Sequence, residues 1–261
     1  MKPIKIINIT AFFAWAALIS FLLYKNYAGT ELETSAALKQ SFDKETLWYD
    51  VYAGSKKIGF AVTTIEKAGS EIIIKQKREI KVIKNNQETL LIENLKSLCD
   101  LNYSIKSFEY SSNFKDEKGI KAIGEVDGDN VIFLLESAEK RKTHKISTAG
   151  RNFYLPLTLM PVIHKKQPTP NTPFIVLLLN LVNLSIDEVK VVLEDIRPLK
   201  LGINILSLYK YRLGDSIIWC NEKGMVIKEE LPSGMTLYSQ TENIAKDPSD
   251  RILFDYTSLP F

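Results

Sequence analysis

The stretch from residue 217 to residue 231, IIWCNEKGMVIKEEL, decides the fold that we predict for this chain. Two runs rich in β-branched and apolar residues flank the four residues 221–224, NEKG. Asparagine favours the first position of a type I turn, and glycine tolerates the positive φ that closes such a turn. The stretch therefore predicts a β-hairpin, and residues 48–62, WYDVYAGSKKIGFAV, repeat the pattern around Gly54.

Strand patterns continue between these two hairpins. Ile58, Phe60 and Val62 alternate with small or polar neighbours, which is the period of two expected for a sheet with one buried face. In residues 71–84 the apolar parity is interrupted at Gln76 and Arg78, which predicts a bend or a polar spot there. Further patterns follow at spacings of about 8 to 14 residues, which is typical of an antiparallel meander.

A proline-rich segment interrupts the strand patterns at residues 154–173, and it excludes a long regular element. Residues 155–164 predict a short helical turn that covers the sheet. The apolar run that follows, residues 174–182, is too short to span a membrane as a helix and predicts a strand covered on both faces.

The N-terminal segment predicts a membrane anchor. Residues 6–24 carry no charge and have the length that one helical span requires, and Lys2 and Lys5 precede them. A cleaved signal peptide is the alternative, but the apolar run is longer than is usual for one, and no small-residue cleavage site follows it closely. We therefore divide the chain into a cytoplasmic stub with a transmembrane anchor (1–24), a linker (25–45), a β domain (46–246) and a tail (247–261).

No motif for catalysis, cofactor binding or metal binding is visible. The net charge of +3 does not indicate a nucleic-acid-binding protein. With two Cys and two His there is no cluster of zinc ligands, and phosphate-binding and dinucleotide-binding fingerprints are absent. Cys99 and Cys220 lie in predicted strands and are either one disulfide or two buried thiols. The basic residues 140–145 indicate either a solvated strand end or a contact with acidic lipid or polysaccharide.

Apolar and aromatic side chains supply the candidate ligand-binding residues. A curved sheet with one face uncovered commonly binds an apolar molecule on that face. The residues that we expect there are Tyr52, Phe60, Ile74, Ile80 and Trp219. A shift of one residue in register exchanges the two faces, so the sequence does not fix which parity points inward. The alternative is that these side chains pack as an ordinary core.

The two hairpins also carry a family resemblance. Residues 48–60, WYDVYAGSKKIGF, together with residues 219–229, 234–238 and 241–245, resemble a bacterial extracytoplasmic β domain that often precedes a transglutaminase-like domain. The resemblance covers residues 46–246. It implies a long antiparallel sheet curled into a half-barrel, similar to the periplasmic lipoprotein carriers LolA and LolB, which hold acyl chains in the concave face.

These patterns together predict a mainly β protein, with a long curved antiparallel half-barrel sheet, a short helical cover and one N-terminal transmembrane helix. The 261 residues contain no counterpart of the transglutaminase-like domain, so we expect no enzymatic activity. We expect a single-pass protein of the bacterial inner membrane whose extracytoplasmic domain binds a lipid or another apolar ligand. The alternative is an anchored interaction or assembly protein of the cell envelope with a filled core and no small ligand.

The anchor prediction has a direct test. If residues 6–24 form an uncleaved anchor, the intact mass of the protein extracted from membranes corresponds to the full chain. A mature N-terminus beyond residue 24 contradicts the prediction and favours the signal peptide.

Overall fold

The computed structural model describes residues 30–31, 44–84, 87–115, 119–137, 140–181, 183–201 and 204–247. These residues contain two helices, α1 (Pro156–Lys165) and α2 (Glu242–Lys246). The strands in the first half are β1 (Thr30–Glu31), β2 (Lys44–Ala53), β3 (Lys56–Ala68), β4 (Glu71–Lys84), β5 (Gln87–Cys99), β6 (Ile105–Phe114), β7 (Ile120–Asp127), β8 (Asn130–Glu136) and β9 (Arg141–Ser147). Those in the second half are β10 (Phe153–Tyr154), β11 (Phe174–Asn180), β12 (Ser185–Leu201), β13 (Asn204–Leu213), β14 (Ser216–Cys220), β15 (Val226–Glu230) and β16 (Met235–Gln240).

All the described strands belong to one large, curved, open sheet. Strands β2 to β9 form one antiparallel meander and β11 to β16 form another. The two meanders are joined where β16 pairs antiparallel with β2, and the short strands β1 and β10 each add parallel pairing to β11. The mainly β, antiparallel architecture predicted from the sequence is confirmed, and α1 lies where the helical cover was expected.

Three predicted regions fall wholly or mostly outside the described residues. They are the anchor in residues 1–24, most of the linker in residues 25–45 and the tail beyond residue 247. Neither helix in the described part of the chain combines the length and the apolar character that a membrane span requires.

Cross-strand pairs define the two faces of the sheet, because directly opposed residues point to the same side. We call one set of opposed residues the inner row; in order across the sheet it is Leu193, Tyr211, Ile218, Glu229, Leu237, Val51, Gly59 and Ile80. We call the opposite set the outer row; it is Lys210, Trp219, Lys228, Tyr238, Asp50, Phe60 and Glu79. Most of the inner row is buried, and its apolar side chains belong to the hydrophobic core.

Helix α1 covers part of the inner face. Pro156 stands in its first turn, where a missing N–H costs nothing. Leu159, Met160 and Ile163 are fully buried, and their helical spacing directs one apolar stripe against the sheet. From its last turn, the His164 imidazole Nδ1 lies 3.3 Å from the Tyr211 hydroxyl of the inner row.

Helix α2 packs on the opposite face, where a buried ion pair holds it. The Lys57 ammonium lies 2.8 Å from an Asp50 carboxylate oxygen, and both side chains are almost wholly buried. The same ammonium donates hydrogen bonds to the carbonyls of Ile244 and Asp247, at 2.8 and 2.9 Å. These carbonyls belong to the end of α2, so one cation neutralises the charge of a buried carboxylate and also caps a helix C-terminus.

The hairpin predicted from residues 217–231 is present, and its turn contacts α1. Asn221 accepts a hydrogen bond on its carbonyl from the Gly224 N–H at 2.9 Å, and its side-chain oxygen accepts from the Lys223 and Met225 N–H groups. Gly224 has φ +73°, and a Cβ at this position would lie 2.9 Å from the Pro161 Cα of α1. Two requirements therefore select glycine here, the positive φ and the close approach of the helix.

We expect Gly224→Ala to destabilise the protein by about 2 to 4 kcal/mol, because positive φ is costly for alanine and the new methyl group overpacks against α1. Gly234→Ala is the matched control. Gly234 has φ +80°, but a Cβ added there would meet no atom within 4 Å, so about 1 kcal/mol is expected from backbone strain alone. Urea unfolding of the two variants measures the difference. Equal losses contradict the packing of the hairpin turn against α1.

Candidate functional site

A cleft of about 610 Å³ lies between the inner face of the sheet and the start of α1. Strands β3 to β6 form one wall, and strands β11 to β13 with the β15–β16 turn form the other. Leu155, Pro156 and Thr158 of the α1 segment close one side. The volume lies in the range of about 300 to 1,000 Å³ that is typical of small-molecule sites.

Much of the cleft wall is apolar. The side chains that supply this surface come from both meanders and are Ile74, Leu95, Leu178, Val189, Leu213 and Met235. Ile74, Leu95, Leu178 and Leu213 are buried, and the other two are half-buried, so the wall continues directly into the hydrophobic core. An apolar group that enters the cleft therefore exchanges water for a preformed hydrocarbon surface.

A polar cluster, formed by Thr63, Gln76, Arg78, Glu93 and Tyr110, lines the cleft beside this apolar surface. The Tyr110 hydroxyl donates to a Glu93 carboxylate oxygen at 2.6 Å, and the other Glu93 oxygen lies 3.4 Å from Nη1 of Arg78. The Gln76 amide donates to the Thr63 hydroxyl at 3.2 Å. The interruption of apolar parity at Gln76 and Arg78 thus marks polar groups that face the cleft.

Glu229 adds a buried carboxyl group to the cleft wall. The residue is 5% exposed, and no hydrogen bond to its carboxyl is found among the described residues. Burial raises the pKa of Glu229, and the positive charge of Arg78 offsets part of that rise. Nε of Arg78 is itself buried and has no hydrogen-bond partner in the described part of the chain.

Only one of the five residues expected to bind ligand lines the cleft. Ile74 does so, and Ile80 lies on the same face in the core of the sheet. Phe60 and Trp219 belong to the outer row, and Tyr52 points the same way because its ring packs edge-to-face on Tyr238 at 5.7 Å. This corrects the expectation that the five residues share the concave face.

The outer-face aromatic residues have partners of their own. The ring of Phe60 lies 6.1 Å from that of Trp48, and the ammonium of Lys246 in α2 lies over Trp48 at 4.7 Å. Trp219 stands between Lys210 and Lys228 in the outer row, with the Lys210 ammonium 5.6 Å from its ring. These residues cover the outer face and do not contribute to the cleft.

Glu93, Tyr110 and Glu229 are cleft residues that the sequence did not reveal. Glu93 and Tyr110 lie in strands of mixed pattern with no turn or motif beside them. Glu229 points inward because the pairing of β14 with β15 shifts between Trp219 and Cys220, which inserts one extra residue into β15. Such a β-bulge reverses the parity of the strand beyond it, and the sequence carries no signal for it here.

The two cysteines are both free and buried. Cys99 ends β5 and Cys220 ends β14, strands that are not neighbours in the sheet. Of the two alternatives, the structure contains the buried thiols. Burial raises the pKa of the Cys99 thiol to about 12, so it stays protonated at neutral pH. In the described part of the chain, no three His, Cys, Asp or Glu side chains are grouped closely enough to hold a metal ion.

The buried carboxyl of Glu229 predicts a specific pH dependence of stability. Its pKa is raised on folding, so the folded state binds the proton more tightly than the unfolded state does. The contribution of Glu229 to stability is therefore most favourable at low pH and falls as pH rises from about 4.5 through the raised pKa. Glu229→Gln removes this fall, so we expect the variant to gain melting temperature over the wild type as pH rises from 4.5 to 8.

The neighbouring variant Glu230→Gln serves as the control for this measurement. Glu230 has the opposite parity on β15, and its carboxylate lies 2.6 Å from the ammonium of Lys228 on the outer face. Thermal unfolding across the pH range compares the two variants. A stability gain that does not depend on pH contradicts the buried position of Glu229.

Comparison with known proteins bears on the fold. No protein-family model and no curated protein matches the sequence. The structure is similar to the crystal structure of a β-barrel-like protein of domain of unknown function DUF1849 from Brucella abortus, with a TM-score of 0.53 and 11% identity, over 75% of this chain and 94% of that chain. A DUF1089 family protein from Pseudomonas aeruginosa aligns over 74% of this chain and 92% of its own at 9% identity, but its TM-score of 0.35 is too low to show a shared fold. The first similarity shows a β-barrel-like fold, whereas a relation to transglutaminase-associated domains or to LolA and LolB stays a prediction from the sequence.

Proposed function

We propose that this chain is a non-enzymatic binding protein that holds an apolar or amphipathic small molecule in the cleft. The observation that carries the proposal is the cleft itself, which has about 610 Å³ of volume and lies between the sheet and α1. We also propose that an anchor in residues 6–24 holds this domain outside the cytoplasm of a bacterium and close to the membrane, where apolar ligands are plentiful.

The composition of the walls supports this function. A ligand pocket typically joins a mainly apolar surface to a few fixed polar groups that orient the ligand. The cleft has both, since Ile74, Val189 and Leu213 supply hydrocarbon surface and Arg78 and Glu93 supply charged groups beside it. The ion pair and the tyrosine hydrogen bond hold these charged side chains in place before a ligand arrives.

The position of α1 supports the same function. The helix fills one part of the inner face with Leu159, Met160 and Ile163, and this part is closed core. The cleft begins at the first turn of the helix, around Leu155 and Thr158. The segment that joins the two meanders therefore covers the inner face incompletely and leaves an opening of ligand size.

The second candidate is an anchored interaction or assembly protein of the cell envelope. The closed core under α1 favours it, because a domain that only docks to a partner needs a filled inner face. The two candidates differ in one measurable property. A binding protein takes up apolar small molecules in the cleft, whereas an interaction protein does not.

Binding of the fluorescent probe N-phenyl-1-naphthylamine tests the proposal. We expect the wild-type protein to bind the probe and Val189→Trp to weaken binding at least about tenfold, because the indole fills the cleft. Val192→Trp is the matched control. It makes the same change three residues further along β12, where the side chain has the opposite parity and its cross-strand partner is the exposed Arg212.

The control should bind the probe like the wild type, and thermal unfolding checks that both variants fold. Absence of probe binding in the wild type contradicts the proposal and favours the interaction protein. Equal effects of the two variants place the bound probe somewhere other than the cleft.

A further inference from the structure

The cleft contains more acidic than basic groups, although the whole chain does not. Its charged lining residues are one cation, Arg78, and four carboxyl groups, those of Glu93, Asp187, Asp215 and Glu229. The complete sequence has a formal net charge of +3. The formal charge of the cleft lining is therefore opposite in sign to that of the whole protein. Such a cleft attracts cations and disfavours anions.

Three of the four carboxyl groups are engaged or lie near solvent. Glu93 accepts from Tyr110 and pairs with Arg78, and Asp187 accepts a hydrogen bond from the Asn180 amide at 2.9 Å. Asp215 is exposed in the turn between β13 and β14. Hydrogen bonds, an ion pair or solvent therefore already stabilise the charges of these three carboxyl groups without a ligand.

Glu229 is different, because it is buried and lines the cleft without a hydrogen bond from the described residues. The ionised form of such a carboxyl is costly unless a donor or a cation reaches it. Arg78 acts on it through its charge but gives it no hydrogen bond. The position open to a donor is the space of the cleft in front of Glu229.

We propose that the ligand of this cleft is an amphipathic amine, whose ammonium group pairs with the Glu229 carboxylate while its hydrocarbon part lies on the apolar wall. This inference rests on the proposed function and names its ligand class. An ammonium group supplies the donor and the charge that Glu229 lacks, and it lowers the acidic excess of the cleft.

An anionic amphiphile such as a fatty acid fits the cleft less well. Its carboxylate brings a further negative charge to a wall that already has four carboxyl groups. The guanidinium of Arg78, the single cation of the cleft lining, is already paired with Glu93 through Nη1. The acyl chain expected from the resemblance to lipoprotein carriers is therefore compatible with the apolar wall, whereas its acidic head group fits less well than an ammonium group does.

The titratable groups around Glu229 give this pairing a pH dependence. They are Arg78 on β4, Tyr49 on β2 and Cys220 on β14. Burial raises the pKa of both Tyr49 and Cys220, so they stay neutral near pH 7 and do not compete for the amine. Glu229 is thus the group whose ionisation changes as pH rises through its raised pKa, and amine affinity should rise with it.

Three compounds with eight carbon atoms and different head groups, octylamine, octanol and octanoate, distinguish the contribution of the head group to affinity from that of the hydrocarbon chain. Isothermal titration calorimetry with the full-length protein at pH 7.5 measures each affinity. We expect octylamine to bind about tenfold more tightly than octanol, and octanoate to bind most weakly. Glu229→Gln should reduce octylamine affinity to the level of octanol and leave octanol affinity unchanged.

Glu230→Gln, on the outer face of the same strand, should leave all three affinities unchanged. In the wild type, octylamine affinity should rise as pH rises through the raised pKa of Glu229, while octanol affinity stays constant.

Octanoate binding that equals or exceeds octylamine binding overturns the inference, and so does an unchanged octylamine affinity in Glu229→Gln. Binding of octanol without preference for the amine contradicts this inference alone. Failure of all three compounds to bind overturns both the inference and the proposed function.

Discussion

The pairing of β16 with β2 is the constraint on which the rest of the structure depends. It joins the last strand of the chain to the start of the first meander, so that Leu237 lies opposite Val51. This contact makes the inner row continuous across both halves of the sheet, and it brings the end of β16 close enough for α2 to reach Lys57. Without it, each meander would have a further open edge and half of a hydrophobic face.

The pairing of β16 with β2 also brings together the two walls of the cleft. The first meander contributes the polar cluster, the second contributes Val189, Leu213 and Glu229, and α1 bridges them from the connecting segment. Each meander supplies part of the charged lining and part of the apolar wall, so neither forms the complete cleft alone. A binding site assembled from strands far apart in sequence is held by tertiary packing, so its geometry depends on the whole sheet.

Sequence patterns were sufficient to predict the architecture, but they did not show which side of each strand faces inward. Alternation, turn residues and prolines predicted the meander, the 217–231 hairpin and α1, because these signals are local. The inward face could not be read, because bulges at Ile58 in β3 and Ile227 in β15 reverse the parity of their strands. Phe60 consequently points outward and Glu229 inward, and Trp219 points outward because its buried neighbours Ile218 and Cys220 take the inward positions of β14. Gln76 and Arg78 were detectable because they break an apolar row within one strand.

Strand β9 shows how an open sheet of this size can avoid association with its own copies. It forms one end of the order of the described strands, so its outer backbone groups have no partner strand among them and offer an edge on which another strand could add. Nearly all its residues are exposed, and Arg141, Lys142 and Lys145 give it a dense positive charge. Two copies that met edge to edge would bring these cations together, and their repulsion opposes the growth of a continuous intermolecular sheet. The basic run thus protects the protein against aggregation at the edge where the sheet ends.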